Sequence, residues 1–385
     1  MSKWQRVVAK TASSLEDRVD ALKARLWSRR DANRDMIIIP YLGYGTDGSV
    51  LLRGRVLRDK GIASAQADDS LWDNVLNMYR RIESDEVPGV KVRGRFHELE
   101  AEAVTDNEGY FSLAFAPQWS GSIERLWEQV ELQLVGEEPV YATGHVLFPP
   151  PSARFGVISD IDDTVLQTYA TELLRMARLL FLGNAHTRLP FPGVAALYRA
   201  LQAGAGGMEG NPLFYVSSSP WNLYDLLVDF FQLQNIPLGP ILLRDWGISE
   251  TELLPTNHHN HKLEAIHSLL DFYPDMPFVL VGDSGQQDPE IYSEVVSRYP
   301  GRILAVFIRN VTTDHSRKEA ITLLREKVEG AQSQLILADD SLAMAQHAAE
   351  QGWIDALILE DIELEMQQNE AAPTPAEALL EGEEA

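Results

Sequence analysis

Two periodicities divide this chain, and they change at Pro149-Pro150-Pro151. Ahead of that stiff proline run, apolar and polar residues alternate, the period of a strand with one buried face. Val50 to Arg58 and Val90 to Phe96 read as strands that share an Arg-Gly-Arg interruption. Phe111, Leu113 and Phe115 alternate after the turn Asp106-Asn107-Glu108-Gly109, and Gln129 to Val135 and Val140 to Phe148 add two more strands. A helical spacing of Leu71, Val75, Met78 and Ile82 interrupts the series. The pattern over 36–150 predicts a small all-β, sandwich-like domain, with the Arg-Gly-Arg repeat serving strand geometry rather than a ligand.

Beyond the prolines the apolar residues come in solid runs, as strands buried on both faces require. Phe155 to Ile158, Pro212 to Val216, Phe278 to Val281 and Ile303 to Ile308 are such runs, with shorter ones at Ile241 to Leu243 and Leu335 to Leu337. Between them Leu223, Leu226, Leu227, Phe230 and Phe231, and then Leu263, Ile266 and Leu270, recur at helical spacing. Strand and helix in alternation predict an α/β domain over 151–358, a mostly parallel, Rossmann-like sheet with helices on both faces.

Three segments stand apart. In 1–35, nine basic residues outweigh five acidic ones, and Trp4, Val8, Leu15, Val19, Leu22 and Leu26 form one stripe of a helix. That basic amphipathic segment suits packing on its own β domain, a short coiled coil, or a membrane surface. Thr171 to Leu182 is apolar on most faces and carries Arg175 and Arg178, which reads either as a buried helix or as a lid that accepts acyl chains while its arginines meet phosphate. From Glu360 onward there are nine acidic residues and no basic ones, so 359–385 is expected to be a disordered, solvating tail.

The candidate chemistry sits at the ends of the solid strands, the ligand edge of an open α/β sheet. Phe155 to Ile158 runs into Ser159-Asp160-Ile161-Asp162-Asp163-Thr164, in which Asp160 is the first carboxylate and Asp162 the second. An aspartate is a competent nucleophile toward phosphorus when a divalent cation screens the charge, and a carboxyl two residues on can act as proton donor. The bland reading of the same residues is an acidic turn capping a helix. Downstream parts decide between them. The second strand ends in Ser217-Ser218-Ser219-Pro220, whose hydroxyls and amides can bind phosphate. Lys262 opens a helical stretch against the helix dipole, which suggests pairing with an anion. A third strand ends in Gly282-Asp283-Ser284-Gly285-Gln286-Gln287-Asp288, adding oxygen ligands suited to Mg²⁺. His258-His259-Asn260-His261 lacks the spacing of a helical zinc pair and reads as a polar loop leading to Lys262.

The series D-x-D-x-T, strand-Ser, Lys, G-D-x-x-x-x-D resembles the four motifs of the haloacid dehalogenase superfamily of phosphotransferases. The strings SDIDDTV (159–165), YVSSSPW (215–221) and GDSGQQDPEIY (282–292) are similar to one branch, the phosphatidate phosphatases of the actin-patch-protein type and their bacterial relatives. The β domain likewise resembles the transthyretin-like modules that accompany hydrolases. The resemblance implies a haloacid dehalogenase-type sheet and an aspartyl-phosphate formed on Asp160, with Asp162 as acid and base and Thr164 closing the motif. Ser217 would bind phosphoryl oxygens, with Ser218 and Ser219 beside it. Lys262 would balance charge, and Asp160, the Asp162 carbonyl, Asp283 and Asp288 would hold Mg²⁺ or its surroundings.

Composition narrows the rest. A net charge of −24 over 385 residues argues against nucleic-acid binding and against broad attraction to an anionic membrane. Zero cysteines exclude disulfides and a thiol nucleophile. The absence of a transmembrane-length apolar stretch or a leader-like start suggests a cytoplasmic protein, with membrane contact only peripheral and local. Three functions follow: a Mg²⁺-dependent phosphatase on phosphatidate or a related phospholipid, the same chemistry on a soluble phosphoester, or a non-catalytic phosphoacceptor module.

Overall fold

The computed structural model describes residues 36–58, 86–117, 126–136, 139–162, 164–165, 191–244 and 258–371. The N-terminal stripe, the helix expected around Leu71 to Ile82 and the apolar helix expected at 171–182 lie outside the described residues.

Eight strands precede the prolines: β1 (Met36–Pro40), β2 (Gly43–Thr46), β3 (Ser49–Arg58), β4 (Lys91–Phe96), β5 (Leu99–Val104), β6 (Tyr110–Phe115), β7 (Trp127–Leu134) and β8 (Tyr141–Leu147). They form one continuous sheet in the order β1-β3-β2-β8-β7-β4-β5, with β6 on the other edge of β3. Where the alternation predicts a sandwich, a single curled sheet encloses its own core instead. Its two ends meet through glycine. A Cβ placed on Gly94 of β4 would lie 2.6 Å from Leu113 and 3.0 Å from Phe115 of β6, a strand with which β4 does not pair. Gly54 of β3 does the same for the Phe111 ring, at 2.5 Å. The flanking arginines point outward to carboxylates, Arg93 to Glu102 and Arg95 to Glu131. Strand β5, which is not among the strands expected from the sequence, turns Leu99, Ala101 and Ala103 toward the core and is further held at the sheet edge by its register, Arg93 opposite Glu102 and Arg95 opposite Glu100.

The second layer system is a six-stranded parallel sheet of β9 (Gly156–Asp160), β10 (Leu213–Pro220), β11 (Ile241–Arg244), β12 (Phe278–Asp283), β13 (Ile303–Arg309) and β14 (Leu335–Ala338). Its order, β11-β10-β9-β12-β13-β14, reverses direction between β9 and β12, which opens a crevice at the carboxyl ends of those two strands. Among the described residues seven helices flank it: α1 (Val194–Ala203), α2 (Tyr224–Leu233), α3 (His258–Phe272), α4 (Asp288–Arg298), α5 (His315–Gly330), α6 (Ser341–Glu350) and α7 (Leu359–Ala371). Successive strand residues serve opposite faces. Val157, Tyr215, Val281 and Phe307 pack with residues of α1, α2, α6 and α7, whereas Ile158, Phe214, Leu280 and Ile308 pack with α3, α4 and α5. Solid apolar runs are the direct outcome of that double burial.

Residues 359–371 correct the expectation of a disordered tail. They form α7, whose Ile362 is fully buried. Its polar side chains are engaged: Glu365 accepts a hydrogen bond from the Ala196 amide at 3.0 Å, and the neutral Asn369 accepts one from the Gly193 amide at 3.1 Å. Those amides belong to the open start of α1, whose own N-terminal neighbour is a left-handed glycine with no side chain to cap it. Among the described residues no helix is long and apolar enough to cross a membrane.

Aromatic residues join the two sheets. Tyr41 stacks on Trp221 with ring centroids 4.6 Å apart, and the Leu42 amide donates to the Tyr224 hydroxyl at 2.6 Å. Tyr44 meets Phe272 edge to face at 4.8 Å.

Because a Cβ on Gly54 would also lie 2.6 Å from the Ile39 carbonyl oxygen, Gly54→Ala is expected to destabilise the protein by ~1–3 kcal/mol. Urea denaturation measures it.

Candidate active site

Each functional side chain is set by the end of a strand or the start of a helix. Asp160 is the last residue of β9 and Asp283 the last of β12, on either side of the crevice. Ser217, Ser218 and Ser219 extend β10 past its pairing with β9, which ends at Val216 opposite Asp160. Asp288 opens α4, where a carboxylate complements the helix dipole, and Pro289 follows in its first turn.

Lys262 departs from its expected position in the chain. The run His258 to His261 forms the first turn of α3 rather than a loop, so Lys262 lies in the second turn and does not open the helix. A helix starting four residues earlier carries the lysine deeper, and the side chain is 3% exposed. Its ammonium lies 2.7 Å from Asp160 Oδ1 and 2.7 Å from Asp288 Oδ1. Burial opposes that charge, but the two carboxylates overcome it and hold the ammonium above the usual lysine range. Asp160 feels the opposite balance. Burial pushes its carboxyl well above the usual range, Lys262 pulls it back, and Asp288, Asp162 and Asp283 push it up again.

The remaining residues are ordered around this pair. Thr164 donates to Asp160 Oδ2 at 3.4 Å. Ser217 and Ser219 both donate to Asp162 Oδ2, at 2.8 and 3.3 Å, and the Ser219 amide donates to Ser217 Oγ at 2.9 Å. The Ser218 hydroxyl is buried without a hydrogen-bond partner among the described residues. Asp283 Oδ1 accepts from the amides of Gly285 and Gln286 at 2.6 and 2.8 Å, while its own amide donates to Asp288 Oδ2 at 3.1 Å. Thus Asp160, Asp162, Thr164, the three serines, Lys262, Asp283 and Asp288 meet on one rim. Arg175 and Arg178 lie outside the described residues.

Three of these carboxylates can hold a metal ion. Asp160, Asp283 and Asp288 are buried, and one oxygen from each lies within 4.8 Å of the others. With Asp162 nearby, four carboxylates face one lysine. Excess negative charge in a dry cleft and an all-oxygen donor set fit a hard divalent cation.

Several supporting residues are assigned no role from the sequence. Gln286 donates from Nε2 to the Asp162 carbonyl at 3.2 Å and accepts from Lys262 at 3.4 Å, tying three motifs together. Arg317, on α5, reaches back to the Ser284 carbonyl at 2.9 Å, to the Gln286 carbonyl at 2.5 Å, and pairs with Glu290. It grips both sides of the loop that presents Asp283 and Asp288. Ser159 donates to the Asp160 carbonyl at 2.6 Å and lies 2.6 Å from the Tyr198 hydroxyl. Arg309, opposite Asp283 in the sheet, is 3% exposed and donates to Ser341 at 2.7 Å; burial pulls its guanidinium down to about 10.

A doubly wound sheet whose carboxyl rim gathers aspartates, serines and one buried lysine defines a class of α/β proteins with an acidic, cation-demanding crevice. Residues 155–310 match the family described as "Phosphatidate phosphatase APP1, catalytic domain". Over this span, which is less than half of the chain, the protein is similar to the APP1-type phosphatidate phosphatases. It is 36% identical over 155 residues to Phosphatidate phosphatase APP1 of Saccharomyces cerevisiae, covering 40% of this chain and 25% of that protein. An uncharacterized protein of Schizosaccharomyces pombe is 31% identical over 268 residues, covering 66% of this chain and 42% of that protein. The chain thus spans well under half the length of these relatives. Among solved structures, a carbohydrate acetylesterase from Xanthomonas citri aligns over 78% of this chain and 68% of its own at 11% identity and a TM-score of 0.29, too slight a likeness to bear on fold or activity.

Two measurements probe this arrangement. Lys262→Met leaves Asp160 and Asp288 buried without their cation and is expected to cost ~3–5 kcal/mol, part of it recovered by millimolar Mg²⁺ in thermal denaturation. Arg317→Met is expected to weaken Mg²⁺ or Mn²⁺ binding, titrated by calorimetry, by about 10–100-fold with the fold intact.

Proposed function

We propose that this protein is a Mg²⁺-dependent phosphatase of the haloacid dehalogenase type, acting on phosphatidate or a related phospholipid through an aspartyl-phosphate intermediate. The observation that carries the reading is the bridge of Lys262 between Asp160 and Asp288 beside Asp283, which brings three separate motifs to one point. The names of the family and of the yeast relative supply the substrate class.

In this mechanism a carboxylate oxygen of Asp160 attacks phosphorus, and the bond from phosphorus to the alcohol oxygen breaks. Asp162, oriented by Ser217 and Ser219, gives its proton to the departing oxygen. Asp162 then takes a proton from water, whose oxygen attacks the aspartyl-phosphate, freeing inorganic phosphate and restoring Asp160. Bound Mg²⁺ would neutralise the facing carboxylates and phosphoryl oxygens. Asp160, the Asp162 carbonyl and Asp283 would hold it. Both Asp288 oxygens are already engaged, one by Lys262 and one by the Asp283 amide, which suits an orienting role beside the ion. Lys262 offsets part of the burial that disfavours the Asp160 carboxylate, and the amides and hydroxyls of Ser217 to Ser219 would receive the phosphoryl oxygens.

Placing both carboxylates on one motif, with the second held by hydroxyls, supports turnover over a phosphoacceptor switch. Asp160→Asn and Asp162→Asn are each expected to lower phosphate release by ~10²-fold or more. Release is measured from phosphatidate in mixed micelles and from soluble phosphoesters, with and without chelator. Substantial residual activity in both variants removes the mechanism, and equal rates on both substrate groups remove the lipid preference.

A further inference from the structure

Between the two sheets lies a trough of ≈ 450 Å³, within the size range of small-molecule sites. One wall is a face of α3. His261, Glu264, Ala265, Ser268 and Phe272 line it at helical spacing, while the neighbouring face, with Ile266 and Leu269, packs on the sheet. The opposite wall is the edge strand β11 with Pro240 ahead of it, through Leu243. The β module closes the space with Tyr41 to Tyr44, Leu51 and Arg53.

The trough has a direction. His261 directly precedes Lys262, whose ammonium touches Asp160, and Trp221 directly follows the Ser217 to Pro220 segment. Leu243 is near the carboxyl end of its strand, and its neighbours Leu242 and Arg244 pair with Val216 and Pro220, so that end of the space lies level with the serine segment of the catalytic rim. From His261 to Phe272 the helix advances about 16 Å at ~1.5 Å per residue, ending where Phe272 meets Tyr44. The lining is mostly aromatic and aliphatic, and the charged groups Arg53 and Glu264 are exposed at the open side.

We propose that this trough is an acyl channel: it holds one hydrocarbon chain of a phosphoester whose phosphate is on the rim. The inference rests on the phosphatase reading and gives the β module a task, since without its Tyr41 to Tyr44 segment and Leu51 the channel would lie open along the edge strand. A chain of that length matches a channel that is long, apolar and single.

Dodecylphosphonate and butylphosphonate, whose C–P bonds resist hydrolysis, are titrated into the full-length protein with Mg²⁺ by calorimetry. The longer chain is expected to bind about 100-fold tighter. Leu51→Trp from the β module and Ser268→Trp from α3 each fill the channel from a different side and are expected to shrink that ratio below about 5-fold. A parent ratio near one, or ratios in both folded variants equal to the parent's, overturns the channel while leaving the phosphatase reading intact. Binding of neither phosphonate, together with no phosphate release from phosphatidate or soluble phosphoesters, overturns the phosphatase reading and the channel with it.

Discussion

One buried ammonium sets the terms for everything on the catalytic rim. Four carboxylates converge where β9, β12 and α4 meet, and water is largely excluded, so each would repel the others at several kcal/mol if ionised without a counter-charge. Lys262 supplies that charge from a neighbouring helix to two of them at once, at 2.7 Å each. The bond therefore joins α3, β9 and α4 into one unit. It also leaves the cluster short of positive charge, and that deficit is the physical opening for a divalent ion.

Support for this unit arrives from unexpected distances. Gln286 links the Asp162 carbonyl to Lys262, and Arg317 clasps the loop after β12 from a helix that begins beyond the next strand. Trp221 follows the serine segment and is stacked against Tyr41 of the β module. The contact between the two sheets therefore lies one residue beyond the segment whose Ser217 and Ser219 orient Asp162.

Much of this was legible in the sequence where burial leaves a strong mark. Strands packed on both faces must be apolar throughout, so β9, β10, β12 and β13 stand out, and the residues at their ends follow from them. The alternation of β3, β6 and β8 was equally plain. Strand β5 was not, because its core-facing side is only half-buried and mostly alanine, a weak mark beside the glutamates that alternate with it. The curl of the first sheet escaped for a similar reason, since it depends on what glycine lacks at positions 54 and 94. The histidine run misleads because polar residues can occupy the first turn of a helix as readily as a loop. Arg317 has no local pattern that ties it to a loop some thirty residues earlier.

The helix α7 gives the clearest case of charge misread as solvation. Its Glu365 and Asn369 reach the unsatisfied amides of α1, close to Phe191, where the described chain resumes before that helix. Two stretches separated by well over a hundred residues are therefore stitched through hydrogen bonds that only the later one can supply. Trimming by a protease just ahead of Leu359 would then be no harmless loss of an acidic fringe. It would leave α1 to fray from its start.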